Sequence, residues 1–121
     1  MKQTHNRSLG EHGEAVAARH LVEQKGMVLL DRNWRCDAGE IDLVLRDGPV
    51  LVVCEVKART SLGYGTPHEA VTPAKLARLR RLAMRWVVEH RVRTPDVRLD
   101  LVAVLVRRHG APVVDHVAGL S

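Results

Sequence analysis

Gly39-Glu40-Ile41-Asp42-Leu43-Val44-Leu45-Arg46-Asp47-Gly48-Pro49-Val50-Leu51-Val52-Val53-Cys54-Glu55-Val56-Lys57-Ala58 is the stretch from which the fold is read. From Glu40 to Arg46 charged and apolar residues alternate. Glu40, Asp42 and Arg46 fall on one side, Ile41, Leu43 and Leu45 on the other. A period of two is the signature of a strand. Asp47-Gly48-Pro49 makes a tight turn. Val50 to Ala58 is almost continuously apolar, which predicts a central strand covered on both faces. That strand nevertheless ends in Glu55 and Lys57, and central strands seldom carry such residues and almost never bury them unpaired. Two apart, they share a face, about 7 Å from each other along the strand. Asp42, across the hairpin, can project onto the same face.

Upstream, Ser8 and Glu11 form an S-x-x-E capping box, and Gly26 supplies a helix stop. A helix is predicted from Leu9 to Lys25, with Ala15, Ala18 and Val22 on one face and Leu21 beside them. Met27 to Arg35 reads as a strand, and Cys36 to Gly39 as a turn. Downstream, Arg59 to Val71 has no periodicity and contains Gly63, Gly65 and Pro67, a loop length usually tied to function or disorder. Thr72-Pro73 then gives an N-cap followed by Pro at the first helical position. The second helix is predicted to run to Arg91, with a core stripe of Leu76, Leu79, Ala83, Trp86, Val87 and His90. Val97 to Val106 and Val113 to Val117 read as two more strands around a turn. The order is α-β-β-β-α-β-β, an α/β layer structure with a mixed sheet. It forms one domain over residues 1–121, with 1–8 expected to be disordered and 59–72 a flexible loop.

The chain has 121 residues, enough to bury a core without disulfide or metal staples. Its composition is that of a globular domain, and the longest apolar run, Val50 to Cys54, is far too short to cross a membrane. Cys36 and Cys54 have no metal or redox spacing, so a reducing cytoplasm is the expected location. The seven histidines show no zinc spacing, and no phosphate-binding glycine loop is present. The net charge is +5. A basic balance points towards a polyanion, most often nucleic acid. Lys75, Arg78, Arg80, Arg81, Arg85, Arg91 and Arg93 face a single acid, Glu89, within the second helical segment, so the excess is local. Arg78, Arg81 and Arg85 form a stripe opposite the core face, suited to phosphate contacts, although a solvated face explains many charge runs. Tyr64, in the flexible loop, is placed to stack on a splayed base or simply to pack the loop.

Two carboxylates and a lysine at one end of a rigid sheet suit a particular chemistry. Hard oxygen donors bind Mg²⁺ or Mn²⁺, the ion activates water and neutralises a phosphate, and a lysine orients or deprotonates the water. The plainer alternative is an exposed Glu55–Lys57 ion pair and a solvated Asp42. Glu14 falls between Ala18 and Leu21 on the first helix, so it faces inward and wants either a metal or a structural partner. Asp100, interrupting an apolar strand, reads as an acceptor for an arginine.

Gly13-Glu14-Ala15, Asn33-Trp34-Arg35, Gly39-Glu40-Ile41-Asp42, Glu55-Val56-Lys57-Ala58-Arg59, Tyr64-Gly65 and Val71-Thr72 with Lys75 together resemble the YraN-type family of bacterial proteins, over roughly Gly10 to Val106. That family looks like a member of the PD-(D/E)xK, restriction-endonuclease-like superfamily, close to Holliday-junction resolvases. The resemblance implies a restriction-endonuclease-like mixed sheet flanked by helices. It implies Asp42 and Glu55 as metal ligands, Lys57 as the catalytic lysine, and Glu14 as the glutamate that resolvases carry on their first helix. Ile41 stands where the superfamily often has proline. The expected activity is metal-dependent hydrolysis of DNA phosphodiesters, with branched DNA as one substrate class and a homodimer by analogy with resolvases. Lys75, Arg78, Arg81, Arg85, Arg59 and Tyr64 are the expected nucleic-acid contacts. The rival readings are a nucleic-acid-binding module without turnover and an interaction subunit whose basic helix docks an acidic partner.

Overall fold

The computed structural model describes residues 2–60, 71–93 and 96–120. The elements are α1 (Lys2–Glu23), β1 (Val28–Cys36), β2 (Gly39–Asp47), β3 (Val50–Arg59), α2 (Pro73–Glu89), β4 (Val97–Leu105) and β5 (Val113–Val117). The strands form one sheet in the order β1-β2-β3-β4-β5. β1, β2 and β3 are antiparallel neighbours, β3 and β4 are parallel, and β4 and β5 are antiparallel. Antiparallel neighbours need only short turns. The parallel β3–β4 pair needs a long crossover, which α2 supplies. In the β2–β3 hairpin Asp47 pairs with Val50, and Gly48 takes the positive φ of 58° that the turn requires.

Each face of the sheet carries a helix. α1 packs Ala17, Ala18 and Leu21 on Leu43, Leu45, Val52, Cys54, Val102 and Val104. α2 packs Leu79, Leu82, Ala83 and Trp86 on Ile41, Val44, Leu51, Val53 and Leu99. β3 is therefore covered on both sides, as its apolar run implies, and Val52, Val53 and Cys54 are fully buried. Burial pushes the Cys54 thiol well above its ordinary pKa, so it is a packing residue.

Several sequence expectations are corrected. α1 begins at Lys2, upstream of Leu9, so Ser8 and Glu11 lie inside the helix and do not cap it. No proline lies upstream of Ser8 to stop the helix from extending. Its buried stripe is Gly13, Ala17 and Leu21, with Ala18, while Ala15 and Val22 are exposed. The helix is rolled because Gly13 lies directly against β3: a Cβ at Gly13 would stand 2.5 Å from the Cβ of Ala58. α2 ends at Glu89, not Arg91, because Arg91 adopts a left-handed φ of 54°. Its core stripe includes Leu82, and His90 caps the helix end, stacked on the Trp86 ring at 4.0 Å. Its start is as read: the Thr72 side chain accepts a hydrogen bond from the Lys75 N–H at 3.1 Å.

Candidate active site

The site lies where β2 and β3 part. Their ladder runs from the turn to the Leu43–Cys54 pair and stops. One residue further on, the Asp42 side chain takes over: its Oδ2 accepts a hydrogen bond from the Val56 N–H at 2.8 Å. The aspartate thus satisfies a backbone donor that the ladder leaves open, and is held there rigidly. Burial pushes the Asp42 carboxyl up to about 7; the Val56 hydrogen bond opposes this, while repulsion from Glu14, Glu55 and Glu40 adds to it. Among the described residues, no lysine or arginine pairs with Asp42.

Glu55 is the first half-buried residue after four buried ones on β3. It lines a cleft of about 40 Å³ together with Glu40, Asp42, Lys75 and Arg78, over Leu79 and Leu82 of α2. That is room for an ion or a water or two. Leu51 and Val53 pack towards α2, so strand alternation carries both Glu55 and Lys57 to the α2 face. Lys57 is half-buried and makes no ion pair among the described residues.

α1 brings Glu14 in from the other helix layer. Gly13 permits the close approach, and Glu14 is half-buried and near enough to Asp42 to raise its pKa. Asn33 on β1 holds it: with its amide nitrogen turned to the carboxylate, Asn33 donates to Glu14 at 2.9 and 3.1 Å. Asn33 has a φ of 50°, a conformation that asparagine tolerates better than most residues. In the sequence, Asn33 and Gly13 stand out only as parts of a family pattern. Neither contact was legible, since each joins segments distant in the chain. Glu40 is another addition to the cleft; it also pairs with Arg35 at 3.5 Å.

The basic stripe of α2 divides. Lys75 and Arg78 belong to the carboxylate cleft. Arg81 is exposed. Arg85 is held by Asp37, whose carboxyl its guanidinium keeps below the usual range. Arg59 ends β3, where its carbonyl accepts a hydrogen bond from the Val106 N–H at 2.7 Å. Tyr64 and residues 61–70 lie outside the described residues. Asp100 is structural, as read. It is fully buried, accepts two hydrogen bonds from Arg98 at 2.9 and 3.0 Å, and also meets His116 and the Gly119 N–H.

The donor set fits a hard divalent ion better than zinc. It consists of carboxylates, and it concentrates negative charge that an added cation would relieve. Among the described residues no three His, Cys, Asp or Glu side chains form a ready-made cage. A two-carboxylate set suits Mg²⁺, which usually keeps several waters.

Comparison with known proteins shows the family of the chain. The model of the uncharacterised protein family UPF0102 matches residues 13–104, a span that runs from Gly13 through the site into β4. The chain belongs to the UPF0102 family. It is 68% identical to a UPF0102 protein of Nocardioides sp. over 114 residues, covering 94% of this chain and 91% of that one. It is 59% identical to a UPF0102 protein of Kineococcus radiotolerans, over 94% and 93% of the two chains. A UPF0102 protein of Streptomyces griseus is 56% identical, over 94% and 96%. The family span thus includes Glu14, Asn33, Asp42, Glu55, Lys57 and Arg78 together. Among the described residues, no helix is long and apolar enough to cross a membrane.

Proposed function

We propose that this UPF0102 chain is a divalent-metal-dependent nuclease of the PD-(D/E)xK, restriction-endonuclease-like kind, acting on phosphodiesters of DNA. The observation that carries the reading is the carboxylate group around Asp42. Glu14, Glu40 and Glu55 all act on a half-buried aspartate that has no cationic partner among the described residues, beside a cleft lined by Lys75 and Arg78. A structural cluster would be expected to pair its charges internally, as Arg98, Asp47 and Asp100 do elsewhere in this fold.

Asp42 and Glu55 would hold Mg²⁺ or Mn²⁺. When bound, such an ion acidifies a coordinated water and offsets charge on a phosphate. Asp42 is positioned for this by the Val56 N–H, which fixes one carboxylate oxygen and leaves the other. Glu14, steadied by Asn33, contributes charge from the α1 side. Lys57, on the face of Glu55, receives or orients the proton of the attacking water. Lys75 and Arg78 bind phosphate oxygens at the cleft mouth, where charge-assisted hydrogen bonds are strong. Arg81 adds contact without sequence preference. A homodimer in the cytoplasm, acting on branched DNA, is the setting this reading favours.

The test is a cleavage panel of duplex, flap, single-stranded and four-way-junction DNA with Mg²⁺ or Mn²⁺. Lys57→Ala should lower the rate by roughly 10²-fold or more, the scale for losing a positioned proton-transfer group, while leaving binding of uncut DNA nearly intact. Full activity in Lys57→Ala would sink the mechanism. DNA binding by the wild type with no cleavage of any substrate would favour the binding module without turnover.

A further inference from the structure

A second concave surface lies at the other end of the α2 face. Arg46 is four residues from Asp42 along β2, roughly 13 Å at strand rise. Beyond the helix, the sheet leaves Val28 and Leu30 exposed at 46% and 42%. They line a groove of about 950 Å³ whose walls also include Leu51 and Trp86. That volume is at the upper end of ligand-binding clefts. Its floor is firm: the Trp86 indole N–H donates to Asp31 at 2.8 Å, and His90 stacks on the ring.

Charge and hydrogen bonding narrow the occupant. Arg46, opposite Val28 in the β1–β2 ladder, and Arg93, just after α2, line the same groove. Both are exposed, and neither forms an ion pair among the described residues. None of the described lining residues is acidic. Among the described residues the buried polar atoms of the floor are already satisfied, and besides the two arginines the polar lining side chain, His90, has its Nδ1 on the Trp86 carbonyl, so little fixed polarity remains to orient a small polar ligand. Recognition there rests on aliphatic burial and two guanidiniums. A nucleic-acid strand would satisfy the arginines but set its sugars and bases against Val28, Leu30 and Leu51. A peptide with apolar side chains between carboxylates satisfies both.

We propose that this groove docks a short acidic segment of a partner protein, its apolar side chains seated on Val28, Leu30 and Trp86 and its carboxylates paired with Arg46 and Arg93. The test selects random dodecapeptides displayed on phage against the wild-type protein, then measures the enriched peptide by fluorescence anisotropy. Enriched sequences should place Asp or Glu within two positions of Leu, Ile or Phe. Arg46→Glu with Arg93→Glu, and separately Leu30→Ser, should each weaken binding about tenfold or more. Both variants leave the carboxylate cleft untouched, so the result stands whether or not DNA is cleaved. Four results would overturn the proposal: no enrichment, enriched peptides without acids, binding indifferent to both variants, or competition by oligo-dT as strong as by the unlabelled peptide. Self-association of the wild type that Leu30→Ser abolishes would overturn it too, assigning the groove to a second copy of this chain.

Discussion

Replacing Asp42 by Asn should make the metal-free protein more stable at pH 8 and change little near pH 4. The carboxyl has an ordinary pKa of 3.8 and is raised to about 7 in the fold. Between those values the native state holds a proton that the unfolded chain has released. Stability therefore falls as pH rises through this window, and levels off above about 7. A shift of about three units corresponds to at most about 4 kcal/mol at 1.36 kcal/mol per unit. Water entry and movement of Glu14 and Glu55 relax part of this, so about 2 kcal/mol is the expected effect. Asparagine keeps an oxygen to accept from the Val56 N–H, so the hydrogen bond that anchors the residue survives. The assay is urea unfolding with a chelator present, followed by the fluorescence of Trp34 and Trp86, at pH 4.5 and pH 8. With an m-value of about 1.5 kcal/mol/M, the variant's midpoint should exceed the wild type's by roughly 1 M at pH 8, and the gap should shrink to about half of that or less at pH 4.5. Titrating groups remote from Asp42 are common to both proteins and cancel. A gap of equal size at both pH values would refute the reasoning, since the shift would then owe nothing to ionisation of Asp42.

Mn²⁺ should raise the wild-type melting temperature at pH 8, and calorimetry should show weaker Mn²⁺ binding in Asp42→Asn and Glu55→Gln, with unchanged affinity in both removing the metal from the site. Gly13→Ala should destabilise by about 1–3 kcal/mol, because the new Cβ meets the Cβ of Ala58 at 2.5 Å; denaturation of Gly13→Ala with Ala58→Gly should recover most of the loss. The arginines of α2 should differ in DNA binding and turnover: Arg81→Gln should flatten the log K against log salt slope by about 0.9, Arg85→Gln by less because Asp37 holds that side chain, and Arg78→Gln should lower the cleavage rate at saturating DNA. Identical slopes and rates in all three variants would mean that the stripe acts as one diffuse patch.

The local elements were legible because their signals are local. Val50 to Cys54 is apolar throughout and Thr72-Pro73 caps a helix, and both appear in the structure where the pattern places them; Glu40 to Arg46 is a strand as its period of two implies, but Ile41 packs towards α2 while Leu43 and Leu45 pack towards α1, so its two faces are not those the alternation gives. The pairing of Glu55 with Lys57 on one face followed from strand alternation alone. Interactions between distant segments were not legible. Ala15 and Val22 have helical spacing as good as that of Ala17 and Leu21, and only the contact of Gly13 with Ala58 decides which stripe is buried. Asn33 meets Glu14 across the gap between β1 and α1, and its left-handed backbone leaves no mark in the sequence. Arg78 and Arg85 are the same residue type on the same helix, yet one faces carboxylates of β2 and β3 and the other is held by a turn aspartate. The raised pKa of Asp42 needs burial and three acids from two other elements and its own strand. A chain pattern specifies which side chains can point together, and the packing of helix on sheet specifies which charges share one partly desolvated space, where water screens them less.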